Sequence, residues 1–182
     1  FADCRRAVVP RLRPHDWTAT DALPLADRLI RDTRFEAKSV GIEVLAGFRR
    51  TLTPAMLRPI KSWLAGDHCA NWATTDSLCG YVIGPLLLTH PALIPVVTTW
   101  TSHRNLWVRR AAAVSLIKPA VKQGGAALDA AFDVATELRS DPHDLIHKAV
   151  GWMLREVGKR VDVEVLRSFL RQDPDIIMVG EI

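Results

Sequence analysis

Three stretches decide the fold: Lys38-Ser-Val-Gly-Ile-Glu-Val-Leu45, Arg110-Ala-Ala-Ala-Val-Ser-Leu-Ile117 and Lys148-Ala-Val-Gly-Trp-Met-Leu154. Each opens on a cation, passes through small residues and closes on larger apolar ones. Small residues let helices approach closely, and the larger ones fill the layer between them. A weaker copy, Asp76-Ser-Leu-Cys-Gly-Tyr-Val-Ile83, falls between the first and the second. The leading positions 38, 76, 110 and 148 are spaced by 38, 34 and 38 residues. Repeated helix pairs of the HEAT type have a period of about 40 residues. Equivalent positions of successive repeats face the same way in such a solenoid. Lys38, Asp76, Arg110 and Lys148 are therefore expected to form one row, with Asp76 its single acid.

Outward from these stretches the apolar residues keep a helical period nearly everywhere, and no alternating β-branched strand is visible. Helices are expected at about 21–31, 35–49, 54–65, 71–88, 91–101, 105–118, 125–139, 143–158 and 162–171, with ends uncertain by about two to four residues. Thr53-Pro54 and Asp141-Pro142 place proline at or just before helix starts. Gly66, Gly124-Gly125 and His90-Pro91 separate periodic segments. Gly84-Pro85 is expected to end or kink the fourth helix. Short connections predict antiparallel neighbours. The expected class is all-α, a HEAT-like solenoid whose concave face lines up the repeats, formed by a single domain over 1–182.

With 182 residues, the chain is long enough to bury a sizeable core. Cys4, Cys69 and Cys79 are odd in number and lack paired spacing, which points to a reducing compartment and no disulfide framework. The apolar run Tyr81 to Leu88 is too short for a membrane span, and no secretory signal is visible. The first residue is Phe1, so the natural N-terminus is expected to lie upstream. The net charge is +4, and the pI is near 9.3. That balance permits a polyanionic partner without requiring one. Positions 1–60 hold 11 of the 24 basic residues, 102–160 hold 10, and 61–101 hold only Lys61, so positive charge flanks a nearly neutral middle.

Trp72 and Asp76 are four apart and share a helix face, as do Trp107 and Arg110, three apart. Lys148, Trp152, Arg155 and Lys159 follow an i, i+4, i+7, i+11 stripe, suited either to phosphate contacts or to an ordinary solvated face. There are six Trp against one Tyr. An indole at helical spacing is a core residue or a platform for sugars and bases. Asp76 is open to three readings, a helix-surface acid, a salt-bridge partner of Arg110 or a functional acid. His143 and His147 lack the Glu of the zinc-protease motif and a third ligand, so no metal is expected. No phosphate-cradling glycine loop or nucleophile elbow is present.

Read together, three blocks resemble the AlkD-type DNA alkylation repair family. They are Asn71-Trp72-x3-Asp76, Ser102-His-Arg-Asn-Leu-Trp107-Val-Arg-Arg110-Ala-Ala and Ile146-His-Lys148-Ala-Val-Gly151-Trp152-Met-Leu-Arg155-Glu-Val-Gly-Lys159. The resemblance runs in order from about residue 34 to 170, and the last block is the most specific. It implies a superhelix cradling duplex DNA, and a monofunctional glycosylase that removes cationic alkylpurines such as 3-methyladenine and 7-methylguanine without deep base flipping. By motif position it implies catalytic roles for Asp76, Trp72 and Trp152. It also implies DNA contacts at Arg110, with Trp107, Lys148, Arg155, Lys159, Arg109 and Lys38 around it. No cofactor and no obligate protein partner are implied, and the expectation is a cytoplasmic monomer with access to DNA. The chain departs from the family in its short terminal repeats and in having Asp144 and Leu145 where some members carry aromatics. Two further readings stay open: a non-catalytic binder of DNA structure, and a protein-interaction scaffold.

Overall fold

The computed structural model describes residues 16–159 together with Ala7, Pro10 and Arg11. The expected helix at 162–171 and Cys4 lie outside the described residues. Among the described residues there are helices and turns and no strand, so the all-α expectation holds. The elements are α1 Ala19–Ile30, α2 Phe35–Gly47, α3 Leu57–Ala65, α4 Trp72–Leu78, α5 Gly84–Thr89, α6 Ile94–Thr98, α7 Leu106–Gln123, α8 Gly125–Leu138 and α9 Asp144–Gly158. Short 3-10 turns precede α3 and α6. The chain groups into two compact units that divide between Leu86 and Leu87.

In the first unit α1 packs along α2, and α2 also packs on α4. Their shared core includes Ala22, Ala26, Ile30, Ile42, Leu45 and Leu78. Gly41 shows how tight the α1–α2 contact is. A Cβ at this position would lie 2.9 Å from Ile30 Cγ1 and 3.0 Å from both the Ala26 carbonyl oxygen and Leu29 Cβ. The glycine of Lys38-Ser-Val-Gly is thus a packing requirement of the repeat. In the second unit α7 is central and packs on both α8 and α9. Its Ala111, Ala112, Ala113, Val114 and Leu116 are all buried.

Two prolines lie within helical runs that continue past them. Gly84-Pro85 neither ends nor breaks the fourth helix. The chain passes through a π turn, Cys79–Ile83, and continues as α5. Proline has no N–H and its ring crowds the carbonyl four residues back. The wider turn relieves this, with the Gly84 N–H donating to the Cys79 carbonyl five residues earlier. Likewise α7 does not stop at 118. It runs through the buried Pro119 to Gln123, where Gly124 leaves the helix at φ +63°. Burial of Pro119 and Ala120 compensates for the lost backbone bond.

Substituting Gly41→Ala is expected to overpack the α1–α2 contact and cost about 1–3 kcal/mol. Urea unfolding of the variant beside the wild type measures it, and an unchanged midpoint would contradict the close approach.

Candidate functional site

Three helices that carry singled-out residues, α4, α7 and α9, open on a side-chain cap. Asn71 Oδ1 accepts the Thr74 amide at 2.9 Å ahead of α4. Asn105 Oδ1 accepts the Trp107 amide at 2.8 Å ahead of α7. His143 Nδ1 accepts the Leu145 amide at 3.1 Å ahead of α9. Such caps satisfy donors that the first turn leaves open and fix where each helix begins. His143, weighed at sequence level as a metal ligand, is therefore a cap.

In α4, Thr74, Thr75 and Leu78 are buried, so the opposite face turns outward. Trp72 stands on that face and is 62% exposed. Asp76 follows one turn later and is half-buried. The core reading of Trp72 therefore fails, whereas Trp63 and Trp100 are core residues, 0% and 1% exposed. Trp107 and Trp152 are half-buried.

The turn leading into α4 is held by side chains from α1 and α2. Lys38 Nζ donates to the Ile30 carbonyl at 3.1 Å and to the His68 carbonyl at 2.8 Å. Sequence spacing assigned Lys38 to a ligand-facing row. In the structure its ammonium caps the end of α1 and pins the turn at His68. Arg31 Nη1 lies 2.9 Å from His68 Nε2. Because a guanidinium only donates, Nε2 must be the acceptor and the imidazole neutral. Asp27 Oδ1 accepts from Arg31 Nε at 2.9 Å and from Trp63 Nε1 at 2.6 Å. Thr75 Oγ1 closes the set by donating to the Cys69 carbonyl at 2.7 Å. Burial, then the charges of Arg31 and Lys38, hold the His68 pKa below its ordinary value against the opposing pull of Asp27 and Asp67. Burial also pushes the Cys69 thiol up to about 12, which leaves it unreactive as a nucleophile.

In the second unit two expected DNA-contacting arginines are engaged within the fold. Arg109 Nε donates to Asp141 Oδ2 at 2.6 Å, and its Nη1 donates to the His103 and Arg104 carbonyls, each at 3.0 Å. It thus joins the turn before α7 to the turn before α9. The Asp141 side chain is only 6% exposed. Arg110 is also buried, and its Nη1 donates to the Leu145 carbonyl in the first turn of α9.

The stripe on α9 comes out as the spacing predicts. Ile146, Ala149, Val150, Met153 and Val157 are buried, leaving Lys148, Arg155 and Lys159 exposed with Trp152 half-buried between them. Two acids moderate its charge. Lys148 Nζ pairs with Asp144 at 2.8 Å, and Lys159 Nζ with Glu156 at 2.7 Å. The Lys159 hydrogen bond, and then its charge, that of Arg155 and a hydrogen bond from Trp152, hold the Glu156 carboxyl below the ordinary range. Among the described residues no group of three or more His, Cys, Asp or Glu could hold a metal ion. No single helix there is long and apolar enough to cross a membrane.

Comparison with known proteins adds the following. The family described as DNA alkylation repair enzyme matches residues 3–178. Among solved structures, a protein from Enterococcus faecalis described as a predicted DNA alkylation repair enzyme has the same fold. Its TM-score is 0.78 at 19% identity, covering 97% of this chain and 82% of that one. No curated protein sequence matches.

Two outcomes follow from the geometry. Arg109→Gln leaves the Asp141 carboxylate buried without its partner and should cost on the order of 3 kcal/mol of stability. Thermal or urea unfolding checks this, and a purely ligand-facing arginine would leave the midpoint unmoved. For His68 the folded pKa lies below the unfolded value of 6.5. The unfolded chain therefore takes up the proton first on acidification. Its contribution is complete above pH 6.5 and is lost as pH falls through that value. Unfolding midpoints measured from pH 7.5 down to about 5 should fall less in His68→Asn than in the wild type, and equal slopes would refute the assignment.

Proposed function

The chain belongs to the DNA alkylation repair enzyme family, and from that premise we propose that it is a glycosylase releasing cationic alkylpurines, of the 3-methyladenine and 7-methylguanine kind, from duplex DNA. The observation that carries this reading is an indole and a carboxylate on the outward face of one capped helix. Trp72 is largely exposed in the first turn, and Asp76 follows one turn on.

Alkylation at N3 or N7 makes a purine cationic and weakens its bond to the sugar. Departure of the neutral base moves the positive charge onto the deoxyribose, as in oxocarbenium-like glycoside cleavage. A fixed carboxylate near C1′ is worth most when that charge develops, so it lowers the barrier and not only the ground state. In this reading Asp76 supplies the carboxylate and orients the attacking water. The Trp72 face lies along the sugar, where cation–π attraction grows with the charge. Trp152 is the second indole at the lesion, and the α9 cations Lys148, Arg155 and Lys159 hold phosphates. Bond cleavage then requires only that the sugar be reached, so the base need not enter a deep pocket. Lys38, Arg109 and Arg110 support the reaction by holding the helices in place, in contrast to the DNA-contact role that the family resemblance implies for them. The same reading has the protein act as a monomer without cofactor, in the cytoplasm with access to DNA.

A second reading has one observation in its favour. Asp144 places a carboxylate on Lys148, at a position where some members of the family carry aromatics, which weakens the α9 stripe as a lesion contact. In that case the protein binds DNA structure and releases no base.

Single-turnover release of 7-methylguanine from methylated duplex separates the two. Asp76→Asn should slow release on the order of 10²–10³-fold while leaving duplex affinity equal or higher. Wild-type protein that binds duplex but frees no base would establish the second reading. Unimpaired release by the variant would remove Asp76 from the chemistry.

A further inference from the structure

Asp76 is the one charged residue between Trp72 and Thr89. The segment that meets the lesion strand in the proposed reaction therefore brings an acid and no cation of its own. Phosphates on either side of the sugar repel that carboxylate, so cations of a neighbouring element must offset them.

The turn leading into α4 rests on the α1–α2 turn, within the first unit. Arg31 and Lys38 make that contact, the arginine at the His68 imidazole and the lysine at the His68 carbonyl. Both are engaged further within the fold, since Arg31 also donates to Asp27 and Lys38 to the Ile30 carbonyl. Arg34 lies between them in the chain, and its side chain is 75% exposed. It is nevertheless held in place. Asp32 Oδ1 accepts from the Arg34 amide at 2.9 Å and from Nε at 3.0 Å, and Oδ2 accepts from Nη2 at 2.8 Å. This fork occupies one edge of the guanidinium plane. The N–H groups of Nη1 and the second of Nη2 form the other edge, which suits two oxygens of a phosphate. The side-chain hydrogen bonds of Arg34, and then that of its amide, hold the Asp32 carboxyl well below the ordinary range. The fork therefore stays closed in mild acid. Much of the rotamer freedom that an arginine loses on gripping a ligand is already lost in the free protein.

The position is near the lesion face. The Arg34 carbonyl accepts the Lys38 amide, so the two are one helical turn apart, about 5.4 Å along the axis. Lys38 reaches His68, and the four residues from there to Trp72 span at most about 14 Å. Arg34 and Trp72 thus fall within one turn of duplex, about 34 Å.

We propose that Arg34 binds a backbone phosphate of the duplex within one turn of the lesion. This deepens the glycosylase reading, since it names a residue that holds the substrate, and it rests on that reading. The ligand class is a phosphodiester, gripped without regard to the base it carries.

The test measures binding of a fluorescein-labelled duplex, with and without one 7-methylguanine, by anisotropy from about 50 to 200 mM salt. Arg34→Gln should flatten the slope of log K against log salt by about 0.9, the signature of one lost phosphate contact. Affinity at the lowest salt should fall about tenfold, equally for damaged and undamaged duplex. Arg34→Lys should keep the slope but recover only part of the affinity, because an ammonium cannot present a fork. A pair that only closes the α1–α2 turn would leave slope and affinity at wild-type values in both variants, and that result overturns the proposal. If Arg34→Gln melts well below the wild type, Arg34→Lys decides: weaker binding at an unchanged slope supports the contact, and unchanged affinity overturns it. Base release separates the two readings. If wild type frees 7-methylguanine while the slopes are equal, the glycosylase reading stands and the Arg34 contact fails. If wild type binds duplex and frees nothing, the glycosylase reading fails, and the change in slope still decides the contact. Wild-type protein that does not bind duplex at the lowest salt overturns both.

Discussion

Asn71 accepting the Thr74 amide is a small interaction, yet the direction of every side chain on α4 depends on it. Successive helical residues are turned by about 100°, so a helix that starts one residue late presents a different face. The cap places Thr74, Thr75 and Leu78 inward, and therefore Trp72 and Asp76 outward. The turn that delivers Asn71 is itself held at both carbonyls before it. Lys38 takes the carbonyl of His68, and the hydroxyl of Thr75 and the amide of Asn71 share that of Cys69. An exposed tryptophan loses apolar burial worth about 1.5–3 kcal/mol for a large side chain. The fold retains that cost only because the inward face of the same helix is fully used.

How far the sequence could be read follows from which constraints are local. Helical periodicity and turn residues are local, so the helices and most of their separations are expected correctly from the sequence. The shared face of Trp72 and Asp76, and the amphipathic stripe of α9, follow from spacing within one helix and are found as expected. The six tryptophans are a different matter. Trp63 and Trp100 sit in helical segments as Trp72 does, and only tertiary contacts send them inward. The prolines mislead for a related reason. Pro85 is expected to end or kink its helix and the helix at 105–118 is expected to close before Pro119, but a π turn and burial on neighbouring helices let the chain continue.

The basic row is where spacing is least sufficient. Repeat register places Lys38 and Arg110 at equivalent positions, and both are indeed equivalent in use. Each donates to a backbone carbonyl of a neighbouring element, Ile30 and His68 for the lysine and Leu145 for the arginine. Cations at these positions therefore serve the stacking of helices, because helix ends and turns expose carbonyls that must find donors. Sequence alone does not locate those carbonyls, so a structural lysine and a phosphate-binding lysine look alike. His68, Asp141 and Glu156, which orient the surrounding cations, carry no motif that would have singled them out.

Set beside one another, Gly41 and Trp72 separate what the interior explains from what it does not. At Gly41 the space is already filled by α1, and the residue belongs to packing. Trp72 is in no such contact, standing 62% exposed on the outward face of α4. The same logic applies to charge. Arg109 is closed around a buried carboxylate, whereas the α9 cations pair with acids near the surface, where such pairs contribute little and can be exchanged for phosphate at small cost. A fold shared at 19% identity can tolerate wide change in its interior, provided volumes and small residues are kept in register. A few exposed positions remain whose side chains the interior does not explain. In this chain those positions lie on one face of α4 in the first unit and on one face of α9 in the second.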